Sequence, residues 1–541
     1  MTSDMAATAT AASPELAENR TSVRSPAAPA GGQTMAVMLI VAGVSFVATI
    51  VATTRYGIGL TPDSFVYLTG AQSLAAGHGY ASDGSAVTVF APGYSAVVSL
   101  AEHIGLSAGG GARVLAAVCA AASVALGYAL LRRHIHSRRI IIGATVAIGC
   151  SAVMLQTFDE ALSEHLFILV VLLFILAAEN VMSASRVMLP VATVVVLTWA
   201  AFYVRYAGIV LVPIAAAIVL IALWRRSRGR ALASAAAVLV AGVALPAVWM
   251  KRNVDAGSGL LGSRQDAAAS PLTNVARTSR ELSSWLATSW TPGALRVVLF
   301  LAAVVLLVLA VAGLVRGRLT LPTDARDMLP AVLVTSVYLI YLAVTASLVA
   351  FAAINARFLA PVFIPAVVVA AWVFERVRPQ VSQPVRRVIT VVAAVWLAIS
   401  LLWFGGVLVS SARSGAGGYA SDHWHDSKLL DDVRSLDETA PVYTNDSVAI
   451  ELFTGRVVKL SVARTFFASN EETGSLPGFL QTVKCAGRVE LVWFQPNGRP
   501  RLYSPDELAQ YLRLEPRVQR GEGVIYDVTP KPGDTSTVSC R

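Results

Sequence analysis

The sequence predicts a mainly α-helical protein that crosses a membrane many times and ends in a small α/β domain. Three observations predict it. Of 541 residues, 55% are hydrophobic and only 14% are charged, against about 25% charged in an ordinary soluble domain. The apolar residues gather in runs of spanning length, and basic residues cluster between the runs. The residues after about position 411 are polar and alternate strand-like with helix-like patterns. This balance excludes a soluble enzyme, a disordered chain and a disulfide-dense secreted scaffold, for which four cysteines are too few. The net charge of +10 would suit nucleic acid in a soluble protein. Here the arginines flank apolar runs, so the charge reads as membrane topology and no nucleic acid is expected.

Residues 1–34 are Ala, Ser, Thr, Pro and Gly with a few charges and no periodicity, which reads as a disordered cytoplasmic tail. No small-residue cleavage site follows a short apolar core, so the first run is an uncleaved anchor. Apolar runs then stand at 35–54, 111–131, 139–157, 161–181, 187–204, 206–224, 231–250, 294–315, 328–350, 357–374 and 388–410. That makes about eleven spans, each near the roughly 20 residues a bilayer requires. Residues 90–106 are apolar but short, and contain Pro92, Gly93, Glu102 and His103. The basic clusters at 131–139, 224–230, 315–318 and 375–387 arbitrate. All fall on one side of the membrane if 90–106 does not span. That segment is therefore read as a re-entrant or interfacial helix within a large first extracytoplasmic loop, 55–110. The amino terminus is then cytoplasmic, and residues 35–410 form the membrane domain.

Residues 411–541 read as a soluble extracytoplasmic α/β domain. "APVYTN", "RVVKLS", "RVELVWFQ" and "GVIYDV" read as strands, and "DSVAIELFTG" as a short helix ended by Gly455. "SPDELAQYLRL" reads as a helix with a capping box, Ser504 at the cap and Glu507 three residues on. Cys485 and Cys540 both lie here, where disulfides persist, so a Cys485–Cys540 bridge is an expectation beside the alternative of two free thiols. Cys119 and Cys150 lie in spans and read as small packing residues.

With this topology the unusual polar residues collect on the extracytoplasmic side. The first loop carries "LTPDSFVYLTGAQSLAAGHGY", with Asp63, Tyr67 and Gln72 on a helix that starts after Pro62. An acid in a first turn also simply complements the helix dipole. The second loop carries Asp159, Glu160, Glu164 and His165 at the start of a span, with Glu160 and Glu164 on one helix face. Ionisable groups at membrane depth are costly and usually functional. A solvated helix start or an interhelical hydrogen bond is the plainer reading. An Asp/Glu/His set also suits a divalent metal, though this spacing is not diagnostic. Arg205, Arg252 and Arg357 stand on the same side, against the charge bias. An arginine at a span end can snorkel to headgroups. Three of them beside acids suit a lipid-linked phosphate, which arginine binds bidentately without losing its charge.

These residues carry a resemblance. "TPDSFVYLTGAQSLAAGHGY", "FAPGYSAVVSLA", "ALSEHLF", "YVRYAGIVLVP", "NARFLAPVFIP" and the stretch opening "GYASDHWHDSKLL" occur in an order and sidedness that resembles the GT-C superfamily. These are polytopic glycosyltransferases that use polyprenyl-phosphate-linked sugars. Within it, the chain resembles bacterial relatives of protein O-mannosyltransferases and of the lipid A aminoarabinose transferase, over about residues 35 to 460. The resemblance implies a GT-C-like membrane fold and hexosyl or pentosyl transfer with inversion, in a bacterial inner membrane. Asp63 would be the general base and Arg205, Arg357 and Arg252 the donor phosphate ligands. Asp159, Glu160 and Glu164 would hold the acceptor, an arginine or a metal. Tyr67, Gln72, His78 and Tyr94 fall within the matching first-loop stretches. The acceptor would be a cell-envelope glycan, lipid or protein. No cofactor is required by the pattern; magnesium or manganese on Asp63, Asp159, Glu160 and Glu164 is the candidate metal. Two departures stand out: Ser64 follows Asp63 where some members have an acidic pair, and "FAPGY" replaces a double-proline form. The Ala-, Val- and Arg-rich composition points to a high-GC bacterium, and for such a host the resemblance implies arabinose or mannose on a cell-envelope glycan.

Two other function classes fit the same composition. A transporter or flippase of lipid-linked sugar also has many spans with embedded charges, but the sequence shows no two-half repeat. A non-catalytic membrane scaffold with an extracytoplasmic binding domain is the third.

Overall fold

The structure is a computed structural model. It describes residues 31–531 except 83, 185, 287–290, 299–300, 302–322, 351, 438 and 497–498. The expected tail lies outside the described residues up to position 30, and its last residues already belong to helix α1 (Gly31–Ala52). The first loop follows with α2 (Pro62–Ala75), a small hairpin of β1 (Ala81–Ser82) and β2 (Ser85–Ala86), and α3 (Gly93–Glu102). The helical body continues through α4 (Ala108–His134), α5 (Arg138–Gly149), α6 (Ala152–Phe158), α7 (Glu164–Ser183) and α8 (Met188–Val204). It is completed by α9 (Leu211–Trp224), α10 (Arg228–Asp255), α11 (Pro271–Leu286), α12 (Leu329–Leu348), α13 (Ala356–Val377) and α14 (Gln383–Ser414).

Among the described residues, eight helices are long and apolar enough to cross a membrane, or nine if α5 and α6, bent by 40° at their junction, form one span. The chain is a multi-pass membrane protein. Met188–Val204 is a shorter apolar helix, and the expected span 294–315 falls mostly outside the described residues. Residues 90–106 form no span: α3 is ten residues long and packs on α2 and α4. At the α5–α6 break, the Ser45 hydroxyl donates to the Gly149 carbonyl at 2.6 Å. A carbonyl that leaves the helix ladder inside an apolar body needs such a donor. Along α14, Val388, Val391, Val392, Val395 and Leu402 project outward, the surface that hydrocarbon tails solvate.

The basic connections gather at one end of the body. His134 and Arg133 both reach Glu179 at the end of α7, at 2.8 and 2.9 Å. Arg226 donates to the Ala184 carbonyl and the His136 amide to Glu375. The first loop sits at the opposite end, because α4 starts beside it and ends among the basic residues.

A third layer of structure follows α14. Strands β3 (Val442–Thr444), β4 (Lys459–Leu460), β5 (Val489–Phe494), β6 (Leu512–Arg520) and β7 (Gly523–Pro530) form one sheet in the order β4-β3-β5-β7-β6. β3 runs parallel to β4 and β5, and β7 runs antiparallel to β5 and β6. β5 is buried along its whole length, as its apolar run predicts. The Ser447–Thr454 helix ends at Gly455 with φ +70°, a left-handed cap that glycine adopts at little cost. The capping box at Ser504 and Glu507 forms, but that helix covers only Pro505–Leu508. Residues expected to continue it enter β6, where pairing along β7 outweighs a local helical pattern. An additional helix, Leu476–Ala486, packs Phe479 and Val483 into the sheet core and carries Cys485. Cys540, and with it the expected Cys485–Cys540 bridge, lies outside the described residues.

Candidate functional site

Three chain segments that are remote in sequence are stitched together at the loop end of the body. The Gly59 amide donates to the Asp159 carbonyl at 2.6 Å, and the Ala161 amide to the Gly59 carbonyl at 2.8 Å. The Tyr419 amide donates to the Leu60 carbonyl at 2.8 Å. Thr61 then caps α2: its hydroxyl accepts from the Ser64 amide, and the Ser64 side chain accepts from the Thr61 amide. Pro62 in the first turn has its φ fixed already. Asp63 is thereby placed beside the start of α7 and the start of α13.

Those helix starts supply the partners. Glu164 opens α7, Arg357 sits in the first turn of α13, and Arg205 follows the last residue of α8 in extended backbone. Glu164 is 1% exposed and touches two arginines: Oε2 lies 2.7 Å from Arg205 Nη1, and Oε1 lies 3.0 Å from Arg357 Nε. These are close ion pairs without hydrogen-bond alignment, since both carboxylate oxygens and Arg357 Nε have no hydrogen-bond partner. Arg357 Nη2 also donates to Asp63 Oδ2 at 2.6 Å. Arg205 Nη1 donates to the Ser163 hydroxyl at 3.0 Å, which in turn meets the Tyr67 hydroxyl at 3.0 Å. Both guanidinium groups lie over the Phe358 ring. Burial pushes the Tyr67 phenol up to about 12, so it stays a neutral hydrogen-bonding group at physiological pH. Tyr94, fully buried, packs edge-on beneath Tyr67 at 5.2 Å.

This chain of charges forms the floor of a cavity of about 1540 Å³. Asp63, Tyr67, Glu164, Arg205 and Arg357 all line it. Its walls include Arg264, Tyr206, Tyr338 and Tyr341, and segments 465–469 and 499–501 close it from the C-terminal side. Loop and C-terminal segment are joined there, the Ala268 amide donating to the Ala468 carbonyl at 3.0 Å. Six arginines and two carboxylates line the cavity among the described residues. An environment with that excess of positive charge selects an anion.

The other sequence candidates stand elsewhere. Arg252 donates to the carbonyls of Val87 at 2.6 Å and Tyr80 at 3.1 Å, with its guanidinium over Trp249. It clamps the first loop and is outside the cavity lining. Asp159 is buried and accepts from the Ser411 hydroxyl at 3.3 Å, facing α14. Glu160 flanks Gly59; burial pushes its carboxyl up to about 7, against the pull of Arg357. Gln72 and His78 are exposed and do not line the cavity. His165 is buried, its Nε2 2.8 Å from the Thr157 carbonyl. Asp63, Asp159, Glu160 and Glu164 do not form a shared metal set. Among the described residues no group of three or more His, Cys, Asp or Glu is placed to hold a metal ion. The reason is that Glu164 is engaged by two cations and Asp159 turns away. Arg264, Arg277 and Arg501, which line the cavity, were not distinguishable in the sequence, because arginine in a polar segment carries no signal of its own.

No family model and no curated protein matches the sequence. Solved structures do match in fold. ArnT from Cupriavidus metallidurans in the apo state aligns over 92% of this chain and 98% of its own, at 12% identity and TM-score 0.56. The same protein bound to undecaprenyl phosphate aligns over 91% and 98%, at 11% identity and TM-score 0.55. The oligosaccharyltransferase AglB from Archaeoglobus fulgidus, in complex with an inhibitory peptide and a dolichol-phosphate, aligns over 86% and 69%, at 12% identity and TM-score 0.45. At such identities the likeness is one of fold: the chain has an ArnT-like architecture.

Proposed function

We propose that this protein is a membrane glycosyltransferase that takes a sugar from a polyprenyl-phosphate donor. The observation that carries the reading is the charge order of the cavity floor. Asp63, half-exposed to the cavity, is followed inward by Arg357, Glu164 and Arg205. Asp63 is the general base, its free oxygen taking the proton of an acceptor hydroxyl. The acceptor's hydroxyl oxygen, losing that proton, attacks the anomeric carbon while the bond from this carbon to the phosphate oxygen breaks. The electron pair leaves with the polyprenyl phosphate, and the configuration inverts. Preorganised cations stabilise the growing negative charge on the leaving phosphate. Arg357 and Arg205 are partly neutralised by Glu164 and Asp63. Arg264 lines the same cavity, has no carboxylate within ion-pair reach among the described residues, and joins them as a phosphate ligand.

The residues present do not fit a shared metal, so no step passes through one. The basic end of the body is cytoplasmic in this reading, and the cavity and C-terminal sheet are extracytoplasmic, which agrees with the positive-inside rule. The ArnT structure with undecaprenyl phosphate supports a polyprenyl-phosphate partner through the shared fold.

The test uses purified protein with a polyprenyl-phosphate-linked sugar. Turnover releases polyprenyl phosphate; a flippase moves the lipid without consuming it. Asp63→Asn lowers turnover about 10²- to 10⁴-fold, the span of general-base contributions, while undecaprenyl phosphate still binds. Unchanged turnover in this variant removes Asp63 as the base.

A further inference from the structure

The cavity has more cation than its floor requires. Glu164 and Asp63 meet Arg205 and Arg357. Asp446 meets Arg499 at 3.2 Å, and is itself held by the Tyr419 hydroxyl at 2.7 Å. Arg501 follows Arg499 by two residues in the segment that closes the cavity. Burial and the neighbouring Arg499 pull its guanidinium below the usual value. Arg277, on α11, faces the same cavity and donates to Asn274 Oδ1 at 3.5 Å. Among the described residues neither Arg277 nor Arg501 has a carboxylate within ion-pair reach. Two unneutralised guanidiniums lining a recess are costly there unless an anion meets them. One polyprenyl phosphate presents a single phosphate, and the floor already provides for it. Phe466 and Phe467, 38% and 58% exposed, line the same C-terminal side. Flat aromatic faces beside cations suit a sugar ring carrying an anionic group.

We propose that the C-terminal domain completes an acceptor subsite, in which Arg501 and Arg277 bind a phosphate or carboxylate carried by the acceptor sugar. This rests on the glycosyltransferase reading and adds the acceptor's chemical class to it. It also gives the C-terminal domain a direct part in binding.

The test uses the full-length protein in phosphatidylcholine nanodiscs and three probes: glucose, glucose 6-phosphate and undecaprenyl phosphate. The wild type binds glucose 6-phosphate at least about tenfold more tightly than glucose, as one good charge-assisted contact provides. Arg501→Gln with Arg277→Gln abolishes that preference and leaves undecaprenyl phosphate affinity unchanged, which also shows that the variant is folded. Arg501→Lys keeps part of the preference. Equal binding of the two sugars by the wild type overturns the subsite without need of any variant. So does a preference that survives in the double variant, or displacement of glucose 6-phosphate by undecaprenyl phosphate. If nanodiscs containing phosphatidylglycerol erase the preference, the arginines serve lipid headgroups and the acceptor assignment falls. Failure of the wild type to bind undecaprenyl phosphate strikes the donor reading instead, and is read separately.

Discussion

Glu164→Gln probes the floor of the site most directly. The substitution keeps the shape of the side chain and removes its charge. Glu164 is 1% exposed, and its partners Arg205 and Arg357 are 14% and 18% exposed. At about 3 Å and an effective dielectric near 20, each contact carries roughly 5 kcal/mol of attraction. Desolvation of the three groups offsets much of that sum. What the variant loses is larger than the net worth of the cluster, because two buried guanidiniums remain with Asp63 as their one ion-pair partner among the described residues. Breaking a buried pair from one side costs about 3–5 kcal/mol, and that is the expected destabilisation. The assay is thermal unfolding of detergent-solubilised protein, followed by tryptophan fluorescence, with and without undecaprenyl phosphate. A ligand at 100 times its Kd stabilises any binding-competent fold by about 2.7 kcal/mol. If the phosphate meets Arg205 and Arg357, it replaces the missing charge and stabilises the variant more than the wild type. A ligand-free variant that unfolds where the wild type does would refute the claim that Glu164 neutralises them. A ligand effect no larger than in the wild type would place the phosphate elsewhere.

Other outcomes follow from the same contacts. Gly418 has φ +55°, and a Cβ there would collide with the Leu60 carbonyl; Gly418→Ala therefore costs about 1–3 kcal/mol, read as a lower unfolding midpoint with reduced turnover. Arg252→Met removes two bonds to the first-loop carbonyls of Val87 and Tyr80. Faster proteolysis between residues 76 and 90 is expected, with a raised KM and little change in kcat; an unchanged cleavage pattern would contradict the clamp. Glu160 has its folded-state carboxyl raised from 4.5 to about 7. The unfolded state releases that proton first, so this group's contribution to stability falls as pH rises from 4.5 through 7. Glu160→Gln flattens the fall, and identical pH–stability curves for variant and wild type would sink the assignment.

Much of the architecture was legible because it depends on local sums. A run of apolar residues makes a span whatever its neighbours are, and Ser504, Glu507 and Gly455 act within a single turn. Asp63, Glu164, Arg205 and Arg357 stood out for a related reason: ionisable residues at span ends are rare enough to be conspicuous. Arg252 stood out by the same criterion and proved to be a clamp on the first loop. Nothing local separates it from Arg357. The helix expected after Ser504 failed at Leu508 because β7 offered a partner for the residues that follow. Arg264, Arg277 and Arg501 were illegible, since polar segments contain arginine as a matter of course.

The sequence by itself determined that this is a many-spanning helical membrane protein with a basic end, a polar end and a C-terminal α/β segment. Hydrophobicity and charge act through composition over one or two dozen residues, and that scale is open to inspection. Only the tertiary structure decided which charges meet. Asp63 and Arg357 are 294 residues apart in sequence and 2.6 Å apart in space. An ion pair depends on that second distance alone. The same holds for the cavity, whose lining comes from the first loop, the spans, the 260–277 segment and the C-terminal region together.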